Sequence, residues 1–257
     1  MGASNEHEQS QNHFKIAFAE FGKHTEIPGC QRQRSPALPA DVMTLELFPL
    51  HHSDEPDAIG PGSFVLHGFA LPYIDELLPA VEALEQCSGF RNMTTPGGFT
   101  MSVAMTNCGQ FGWTTDRRGY RYTQIDPDTG QPWPAMPNSF MRLAQAAAAR
   151  AGFADFFADA CLLNRYLPGT RLSLHQDKNE RDLDAPIVSV SLGMPAVFLF
   201  GGNNRNDKPL RIPLTHGDVV VWGGVDRLRY HGVMPQKEMP HPVLGSQRLN
   251  LTFRKAG

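Results

Sequence analysis

From about residue 158 to its end, the chain consists of short β-rich runs with no helical pattern between them. The runs are "APIVSVSLG", "AVFLFGG", "GDVVVWGG" and "RLNLTFR", and each is bounded by Gly, Pro, Asn or Asp. Parallel strands need a crossover of about a dozen residues or more, usually a helix. The pattern therefore argues against a parallel βαβ sheet and predicts an antiparallel sandwich or jelly roll.

Two helical patterns precede this region. The stretch "LPYIDELLPAVEALEQCSG" has apolar residues at 74, 77, 78, 81 and 84, which share one face of a helix. Pro79 is expected to kink or split this helix, and Gly89 to end it. A second helix is predicted in "NSFMRLAQAAAARAG", with Asn138 or Ser139 as its N-cap and Gly152 at its end. Helices that lead into an antiparallel sheet predict an α+β domain.

The composition and charge exclude several classes of protein. Hydrophobic residues make up 41% and charged residues 19% of the 257 residues, as in a soluble globular protein. The net charge of -3 argues against a broadly basic, sequence-blind DNA binder. No apolar run approaches the ~20 residues of a membrane span, and the first residues lack the apolar core of a secretory signal. The four cysteines are scattered without a C-x-x-C pair, which fits a reducing cytoplasm.

These features predict a cytoplasmic protein with no membrane association, and we expect a monomer. Residues 1–40 are polar and rich in Gln, His and Glu, which predicts a flexible extension. Residues 41–257 are long enough to form a single domain with a substantial core.

A histidine and an aspartate two positions apart, His175 and Asp177, lie in "LSLHQDKNE". On a strand, residues i and i+2 point to the same face, so both side chains could bind one ion. They would form two arms of the two-histidine, one-carboxylate triad that holds Fe(II). His231 in "LRYHGV" follows a predicted strand and a Gly-Gly turn, and is the best placed third ligand. An isolated H-x-D is more often a surface turn, so this site needs independent support.

The last predicted strand, "QRLNLTFR", supplies that support. Its two-residue period places Leu249, Leu251 and Phe253 on one face and four polar residues on the other: Arg248, Asn250, Thr252 and Arg254. Taken alone, the run favours a half-exposed strand with its arginines in water. If the polar face lines a barrel instead, the arginines need anions, and a dicarboxylic acid would satisfy them. The two arginine Cα atoms would lie roughly 20 Å apart, which two long side chains and a five-carbon diacid could span. A metal triad beside a dicarboxylate pocket is typical of a 2-oxoglutarate oxygenase.

Long stretches of the sequence resemble those of a known family. From about Phe90 to its end, the sequence resembles the AlkB family of Fe(II)/2-oxoglutarate-dependent dealkylases, and its bacterial members in particular. The matching stretches keep the family's order and cover about two thirds of the chain: "TPGGFTMSVAMTNCGQFGWTTDRRGYRY", "PWPAMPNSF", "NRYLPGTRLSLHQDKNE", "APIVSVSLGMPAVFLFGG", "HGDVVVWGG" and "RLNLTFR". The resemblance implies a single catalytic domain over residues 41–257. This domain would have a double-stranded β-helix (jelly-roll) core over about residues 158–257, N-terminal helices, and a nucleotide-recognition lid over about residues 90–135.

The resemblance also assigns roles to residues at matching positions. His175, Asp177 and His231 become the iron ligands. Five residues become 2-oxoglutarate contacts: Asn164, Tyr166, Arg248, Asn250 and Arg254. Arg248 would take the distal carboxylate as a bidentate pair, and Arg254 would lie nearer the metal-bound end. In the implied reaction with O2, 2-oxoglutarate is decarboxylated to succinate and CO2. An N-alkyl group on a base of the 1-methyladenine or 3-methylcytosine type is hydroxylated and leaves as formaldehyde.

The run "GWTTDRRGYRY" interleaves aromatic residues with arginines. Aromatic faces stack on bases and guanidinium groups contact phosphates, which suits a single-stranded or flipped nucleotide. From the residues alone, a hairpin with buried aromatics and solvated arginines is equally consistent. The resemblance implies that Trp113 and Tyr120 contact base and backbone, with Arg121 and Tyr122 in the same run. It also implies that Arg205 lies near the target nucleotide.

One position departs from the family pattern. Two residues after Asp177, bacterial members have a second aspartate that reads the exocyclic amino group of the damaged base, whereas this chain has Asn179. Asparagine still offers a carbonyl acceptor, but it is neutral and its amide can donate. Our hypothesis is that cationic lesions lose some charge stabilisation here, so that neutral lesions or a different rank order become accessible.

The leading interpretation is an oxidoreductase that repairs alkylated single-stranded DNA or RNA, or a duplex with a flipped base. One alternative is an oxygenase of the same fold that acts on modified tRNA or a protein side chain, for which the loss of Trp113 would not matter. A second alternative is a non-enzymatic nucleic-acid-binding barrel with a vestigial metal site. That protein would form no succinate when Fe(II), 2-oxoglutarate and O2 are supplied.

Overall fold

A computed structural model describes residues 55–257 of the chain. The predicted extension, residues 1–40, and the start of the predicted catalytic domain, residues 41–54, lie outside the described residues. Residues 55–257 form two α-helices, a seven-stranded sheet, a four-stranded sheet and a two-stranded hairpin. No helix in this range is long and apolar enough to cross a membrane.

The larger sheet has the strand order β1-β2-β11-β8-β13-β6-β3, and every neighbouring pair is antiparallel. Its strands are β1 (Asp57–Gly60), β2 (Ser63–Leu66), β3 (Ala104–Gly109), β6 (Ala160–Tyr166), β8 (Ile187–Gly193), β11 (Val219–Trp222) and β13 (Arg248–Arg254). The last of these, β13, lies in the interior of the sheet between β6 and β8, so its backbone is hydrogen-bonded along both edges.

The smaller sheet has the order β10-β9-β12-β7. Its strands are β7 (Leu172–His175), β9 (Ala196–Phe200), β10 (Leu210–Leu214) and β12 (His231–Val233). The two sheets pack face to face, because Phe198 and Phe200 of β9 share a buried cluster with Val220 and Trp222 of β11. The four predicted β-rich runs form β8, β9, β11 and β13. The predicted α+β fold with a jelly-roll core is therefore confirmed.

Two helices, α1 (Ile74–Cys87) and α2 (Asn138–Arg150), cover the outer face of the larger sheet. Their buried side chains, among them Leu77 and Phe140, pack against Leu249, Leu251 and Phe253 of β13. The rings of Phe140 and Phe253 meet edge to face at 5.9 Å. Each such side chain contributes about 1.5–3 kcal/mol by leaving water. Because the helices take the apolar face of β13, its polar face must point into the space between the two sheets.

Several local predictions for the helices need correction. Pro79 does not split α1, which runs through it; Pro79 and Asp75 are exposed, so water can reach the carbonyl that the proline leaves unpaired. The helix ends at Cys87 with the extended Ser88 as its C-cap, so Gly89 lies just beyond its end, as predicted. Neither Asn138 nor Ser139 is the N-cap of α2, because the chain enters the helix from Pro137 with no side-chain cap. Gly152 follows this helix with φ +88°, as a helix-ending glycine does.

The larger sheet also contains strands from before residue 158. The sequence pattern did not predict these strands. The strands β1 and β2 extend one edge beyond β11, and β3 forms the other edge beside β6. Although β3 lies within the stretch predicted as a lid, it is part of this sheet. The remaining strands of that stretch, β4 (Gly112–Asp116) and β5 (Gly119–Thr123), form a separate two-stranded unit that we call the lid hairpin.

Candidate active site

Three predicted metal ligands converge at one end of the smaller sheet. The strands β7 and β12 pair so that His175 stands opposite His231, and Asp177 follows in the loop just after β7. Nε2 of His175 lies 3.6 Å from Oδ1 of Asp177, and Nε2 of His231 lies 3.7 Å from Oδ2. One ligand atom from each residue lies within 4.8 Å of the others. The three side chains meet because β7 pairs with β12, and not only because His175 and Asp177 lie two residues apart.

Hydrogen bonds orient both imidazole rings toward the centre of this cluster. Nδ1 of His175 donates to the carbonyl of Ser173 at 2.9 Å, and Nδ1 of His231 donates to the carbonyl of Arg229 at 3.1 Å. A carbonyl only accepts, so each Nε2 keeps its lone pair for a ligand. Burial and the nearby His231 lower the pKa of His175 to about 4, which keeps its ring neutral at physiological pH. Two imidazole nitrogens and one carboxylate fit Fe(II) with open coordination positions.

The carboxylate of Asp177 is paired with Arg254 at the end of β13. Burial alone would raise the pKa of Asp177, but Arg254 and the two histidines hold it well below its ordinary value. In the same way the carboxylates of Asp177 and Glu180 raise the pKa of Arg254 against the effect of burial. Asp177 is therefore ionised, and Arg254 lies beside the candidate metal ligands, where the resemblance predicts a 2-oxoglutarate contact.

At the other end of β13, Arg248 is a buried cation whose hydrogen bonds are incomplete. Its Nε donates to the hydroxyl of Ser191 at 2.9 Å, and its guanidinium carbon lies 5.0 Å from the centre of the Tyr166 ring. Its Nη1 is buried without a hydrogen-bond partner. All seven residues of β13 are buried, so the half-exposed strand favoured by the sequence alone is wrong. A buried guanidinium with an unused donor fits a carboxylate ligand.

Polar side chains of neighbouring strands complete this surface. Register places Tyr166 beside Arg248 and Asn164 beside Asn250. Nδ2 of Asn164 donates to Oδ1 of Asn250 at 3.2 Å, and Nδ2 of Asn250 donates to the hydroxyl of Ser189 at 2.8 Å. Burial raises the pKa of Tyr166, so its hydroxyl stays protonated. The five predicted 2-oxoglutarate contacts therefore form one continuous polar surface between the two sheets.

A cavity of about 590 Å³ opens over this surface. Its lining includes the three metal-ligand candidates, the five predicted 2-oxoglutarate contacts, and four predicted substrate residues: Trp113, Tyr120, Asn179 and Arg205. Trp113 and Tyr120 belong to the lid hairpin, and their rings stack at 5.7 Å with planes 20° apart. The side chain of Asn107 on β3 exchanges two hydrogen bonds of 2.9 Å with the backbone of Trp113, which ties the hairpin to the sheet.

Two predicted substrate residues are not in the lining. Arg121 donates to Asp116 at 2.7 and 3.0 Å, within the lid hairpin. The hydroxyl of Tyr122 donates to Glu180 at 2.6 Å, beneath the hairpin. Both side chains are thus engaged by carboxylates of the protein itself.

Comparison with known proteins decides the family. Residues 62–254 match the 2OG-Fe(II) oxygenase superfamily. The alpha-ketoglutarate-dependent dioxygenase AlkB of Escherichia coli (strain K12) is 58% identical over 201 residues, which span 78% of this chain and 93% of that protein. The chain belongs to the AlkB family. Two further similarities are more distant. The tRNA demethylase abh1 of Schizosaccharomyces pombe is 32% identical over 48% of this chain and 38% of its own length. The structure of OsALKBH1 has a TM-score of 0.67 at 29% identity, covering 78% of this chain and 99% of that one.

As a member of the AlkB family, the protein is a dioxygenase that uses Fe(II), 2-oxoglutarate and O2. The donor set and the buried guanidinium described above fit these groups. The rival interpretation as a non-enzymatic barrel is wrong, because the match to the oxygenase family covers most of the described chain.

Sequence reasoning missed several residues of this AlkB-family site. Ser189 and Ser191 alternate with apolar residues in "APIVSVSLG", a two-residue period that could have placed them on the same inward face as Asn250. Glu180 and Arg227 are buried beside Asp177, with side chains 2% and 3% exposed. Nothing in their sequence context signals burial, since Glu180 lies in the polar run "DKNE" and Arg227 in the mixed run "VDRLRY".

Proposed function

We propose that this protein oxidatively demethylates N-alkylated nucleobases of the 1-methyladenine and 3-methylcytosine type in DNA or RNA. One observation carries the proposal: the stacked pair Trp113–Tyr120 faces the same cavity as the cluster of His175, Asp177 and His231. Stacked aromatic side chains favour nucleobases as ligands, and the cluster offers an iron site within the same space. The names of the relatives, a tRNA demethylase among them, support the same substrate class.

In this proposal His175, Asp177 and His231 hold Fe(II), with the two Nδ1 hydrogen bonds fixing the imidazole rings. Arg248 pairs with the distal carboxylate of 2-oxoglutarate through the donor that lacks a partner in the protein. Arg254 lies at the metal end, and the remaining contacts come from Asn164, Tyr166 and Asn250. When bound here, Fe(II) and 2-oxoglutarate supply the oxidation of the N-methyl group by O2, with succinate, CO2 and formaldehyde as products.

The lid hairpin and the cavity rim position the base. Trp113 and Tyr120 provide a stacking surface, Asn179 offers an amide to the base edge, and Arg205 provides a positive charge near the nucleotide. A cavity of this size admits a base only when that base is unstacked, so the substrate is a single strand or a duplex with a flipped base. Arg121 pairs with Asp116 within the hairpin and Tyr122 bonds to Glu180 of the core, so neither is assigned a substrate contact.

We also propose that the protein works as a monomer in the cytoplasm. A single chain supplies every residue of the site, so a monomer suffices. The three described cysteines, Cys87, Cys108 and Cys161, are free thiols, which favours the reducing cytoplasm.

The experiment is formaldehyde release from single-stranded oligonucleotides that carry one methylated base, in DNA and RNA versions. We expect release that needs Fe(II) and 2-oxoglutarate and is lost in His231→Ala. An unmethylated oligonucleotide of the same sequence is the control. Succinate formation without formaldehyde from any of these oligonucleotides would reject the proposal. It would favour the alternative, an oxygenase that acts on modified tRNA or on a protein side chain.

A further inference from the structure

A buried carboxylate that has no part in the chemistry above lies three residues after Asp177. The side chain of Glu180 is 2% exposed. A buried carboxylate is costly unless it is paired and hydrogen-bonded; Glu180 has one hydrogen bond and two charged neighbours, and its Oε2 has no hydrogen-bond partner. The hydroxyl of Tyr122 donates to Oε1 at 2.6 Å, Nη2 of Arg227 lies 3.3 Å from Oε2, and Nε of Arg254 lies 3.5 Å from Oε1.

These partners come from three separate parts of the fold. Tyr122 belongs to β5 of the lid hairpin, Arg227 precedes β12, and Arg254 ends β13. Arg227 also donates to the backbone carbonyl of Asp177 at 2.7 Å and to that of Ala185 at 2.9 Å. Glu180 therefore connects the hairpin to the arginine that fixes the backbone of a metal-ligand candidate.

The charges of this cluster balance, which explains how it tolerates burial. Two carboxylates, Asp177 and Glu180, face two guanidinium groups, Arg227 and Arg254. Burial raises the pKa of Tyr122 well above its ordinary value, so the hydroxyl keeps its proton and remains a donor. A hydrogen bond to a charged acceptor is stronger than one between neutral groups. The link between hairpin and core is thus a strong one.

The position of Tyr122 on the hairpin makes this link relevant to the substrate. In the β4–β5 register Tyr122 stands directly opposite Trp113, whose ring stacks on Tyr120 beside the cavity. Any displacement of Tyr122 away from the core therefore moves the stacking pair relative to the cluster of His175, Asp177 and His231.

We propose that Glu180 is a positioning residue that clamps the lid hairpin to the Asp177 segment and so fixes the distance between the stacked nucleobase and the metal site. This inference rests on the function proposed above. It implies that 2-oxoglutarate consumption and base demethylation stay coupled only while the Tyr122–Glu180 bond is intact.

The test compares Tyr122→Phe, which removes only the hydroxyl, with Glu180→Gln, which keeps an acceptor but removes the charge. The measured quantity is the ratio of formaldehyde to succinate with a methylated oligonucleotide. In Tyr122→Phe we expect this ratio to fall about tenfold, the effect of losing a hydrogen bond to a charged group. In Glu180→Gln we also expect a fall, because the hydroxyl keeps only a neutral acceptor and the two guanidinium groups lose one of the carboxylates that balance them. The losses in the double variant should be less than additive, because both changes weaken the same Tyr122–Glu180 bond.

Hydrogen exchange supplies a readout that does not depend on turnover. The backbone amides of residues 112–123 should exchange several-fold faster in Tyr122→Phe than in the unmodified protein. Tyr73→Phe is the matched control, since Tyr73 packs beside α1 away from the cavity and should leave both readouts unchanged. Unaltered exchange and coupling in Tyr122→Phe, or additive losses in the double variant, would overturn the clamp. Absence of formaldehyde from the unmodified protein would reject the demethylase function, while hydrogen exchange would still decide the clamp.

Discussion

Arg254 donates two hydrogen bonds to a single oxygen of Asp177, from Nε at 2.8 Å and from Nη2 at 2.6 Å. Both bonds go to Oδ2, and the other oxygen lies toward His175. This arrangement orients the carboxylate as well as keeping it ionised, because two donors in a planar fork restrict its rotation.

Arg254→Lys therefore tests whether the orientation of the Asp177 carboxylate matters independently of the positive charge beside it. Lysine keeps the positive charge but cannot form the two-point contact with Oδ2. We expect the affinity for Fe(II), or for Co(II) as a probe, to fall about 10–100-fold, the usual effect of losing a residue that orients a metal ligand. Titration followed by absorbance measures this without turnover. Arg211→Lys, an exposed position on β10, should bind metal normally; equal affinities for all three proteins would contradict the prediction.

Arg248→Met should have opposite effects on cosubstrate binding and on stability. The buried Nη1 has no partner in the protein, so removal of the charge should leave the unliganded protein as stable or more stable, by about 1–3 kcal/mol. The same change should abolish the rise in Tm that 2-oxoglutarate produces in the unmodified protein. Thermal unfolding with and without the diacid measures both. A variant that is less stable alone yet still stabilised by 2-oxoglutarate would refute this account of Arg248.

Acid should destabilise the metal-free protein through His175. Its pKa is about 4 in the folded state against 6.5 for the free side chain, so the unfolded chain takes up a proton between these values while the folded one does not. Stability is therefore lost as pH falls from about 6.5 to about 4. Asp177 adds to this loss only below about pH 3.8, because its folded pKa is depressed.

Urea unfolding at pH 7 and pH 5, with a chelator present, measures the contribution of His175 to the pH dependence of the unfolding free energy. The loss of unfolding free energy between these pH values should be smaller in His175→Gln by on the order of 1 kcal/mol. The effect is limited because 34% of the side chain is exposed and solvent screens its charge. An identical pH dependence in both proteins would show that His175 is not the group responsible.

Trp113→Ala should weaken the demethylation of oligonucleotides. Loss of one base-stacking ring costs about 1–3 kcal/mol, which corresponds to roughly 5- to 150-fold in kcat/KM. Phe157→Ala, which removes an exposed ring that is not part of the cavity lining, is the matched control. If Trp113→Ala demethylates as well as the unmodified protein, the hairpin is not a base-binding surface and another substrate class is favoured.

Asn179→Asp should shift the preference among lesions. A carboxylate at this exposed rim position adds charge stabilisation for cationic 1-methyladenine and 3-methylcytosine, and none for neutral bases. Exposed charge pairs contribute about 0.2–1 kcal/mol, so we expect the cationic lesions to gain up to about fivefold over neutral ones. Side-by-side turnover on oligonucleotides that carry each lesion measures the ranking. An unchanged ranking would mean that Asn179 does not read charge.

The sequence predicts which residues of β13 share a face. It does not predict which face packs on the helices and which points into the space between the sheets. A strand has a fixed two-residue period, so Arg248 and Arg254 share a face in any fold that keeps the strand. Both faces are buried, and which of them packs against helices depends on α1 and α2, whose side chains cover Leu251 and its neighbours. That packing joins segments far apart along the chain, and no local pattern encodes it. The family resemblance, rather than the alternation, carries the correct orientation.

The edges of the larger sheet and the cluster around Glu180 show a second limit. The strand β3, "AMTNCG", shows no alternation of apolar and polar residues, and it is a strand because it pairs with β6 at the edge of the sheet. The burial of Glu180 requires Tyr122 and Arg227, which lie 58 residues before and 47 residues after it in the numbering. Only the assembled fold determines such contacts, so a polar stretch like "DKNE" gives no indication of which member is buried.

The placement of β13 inside a seven-stranded sheet, with the stacking aromatics on a two-stranded hairpin, has a consequence for how such enzymes diversify. If the proposed roles hold, we expect substitutions in the hairpin to alter which damaged base is accepted without disturbing the residues proposed to bind the diacid and the metal. Exchange of hairpins between relatives is therefore a direct route to altered lesion selectivity, provided that the tyrosine beneath the hairpin is retained.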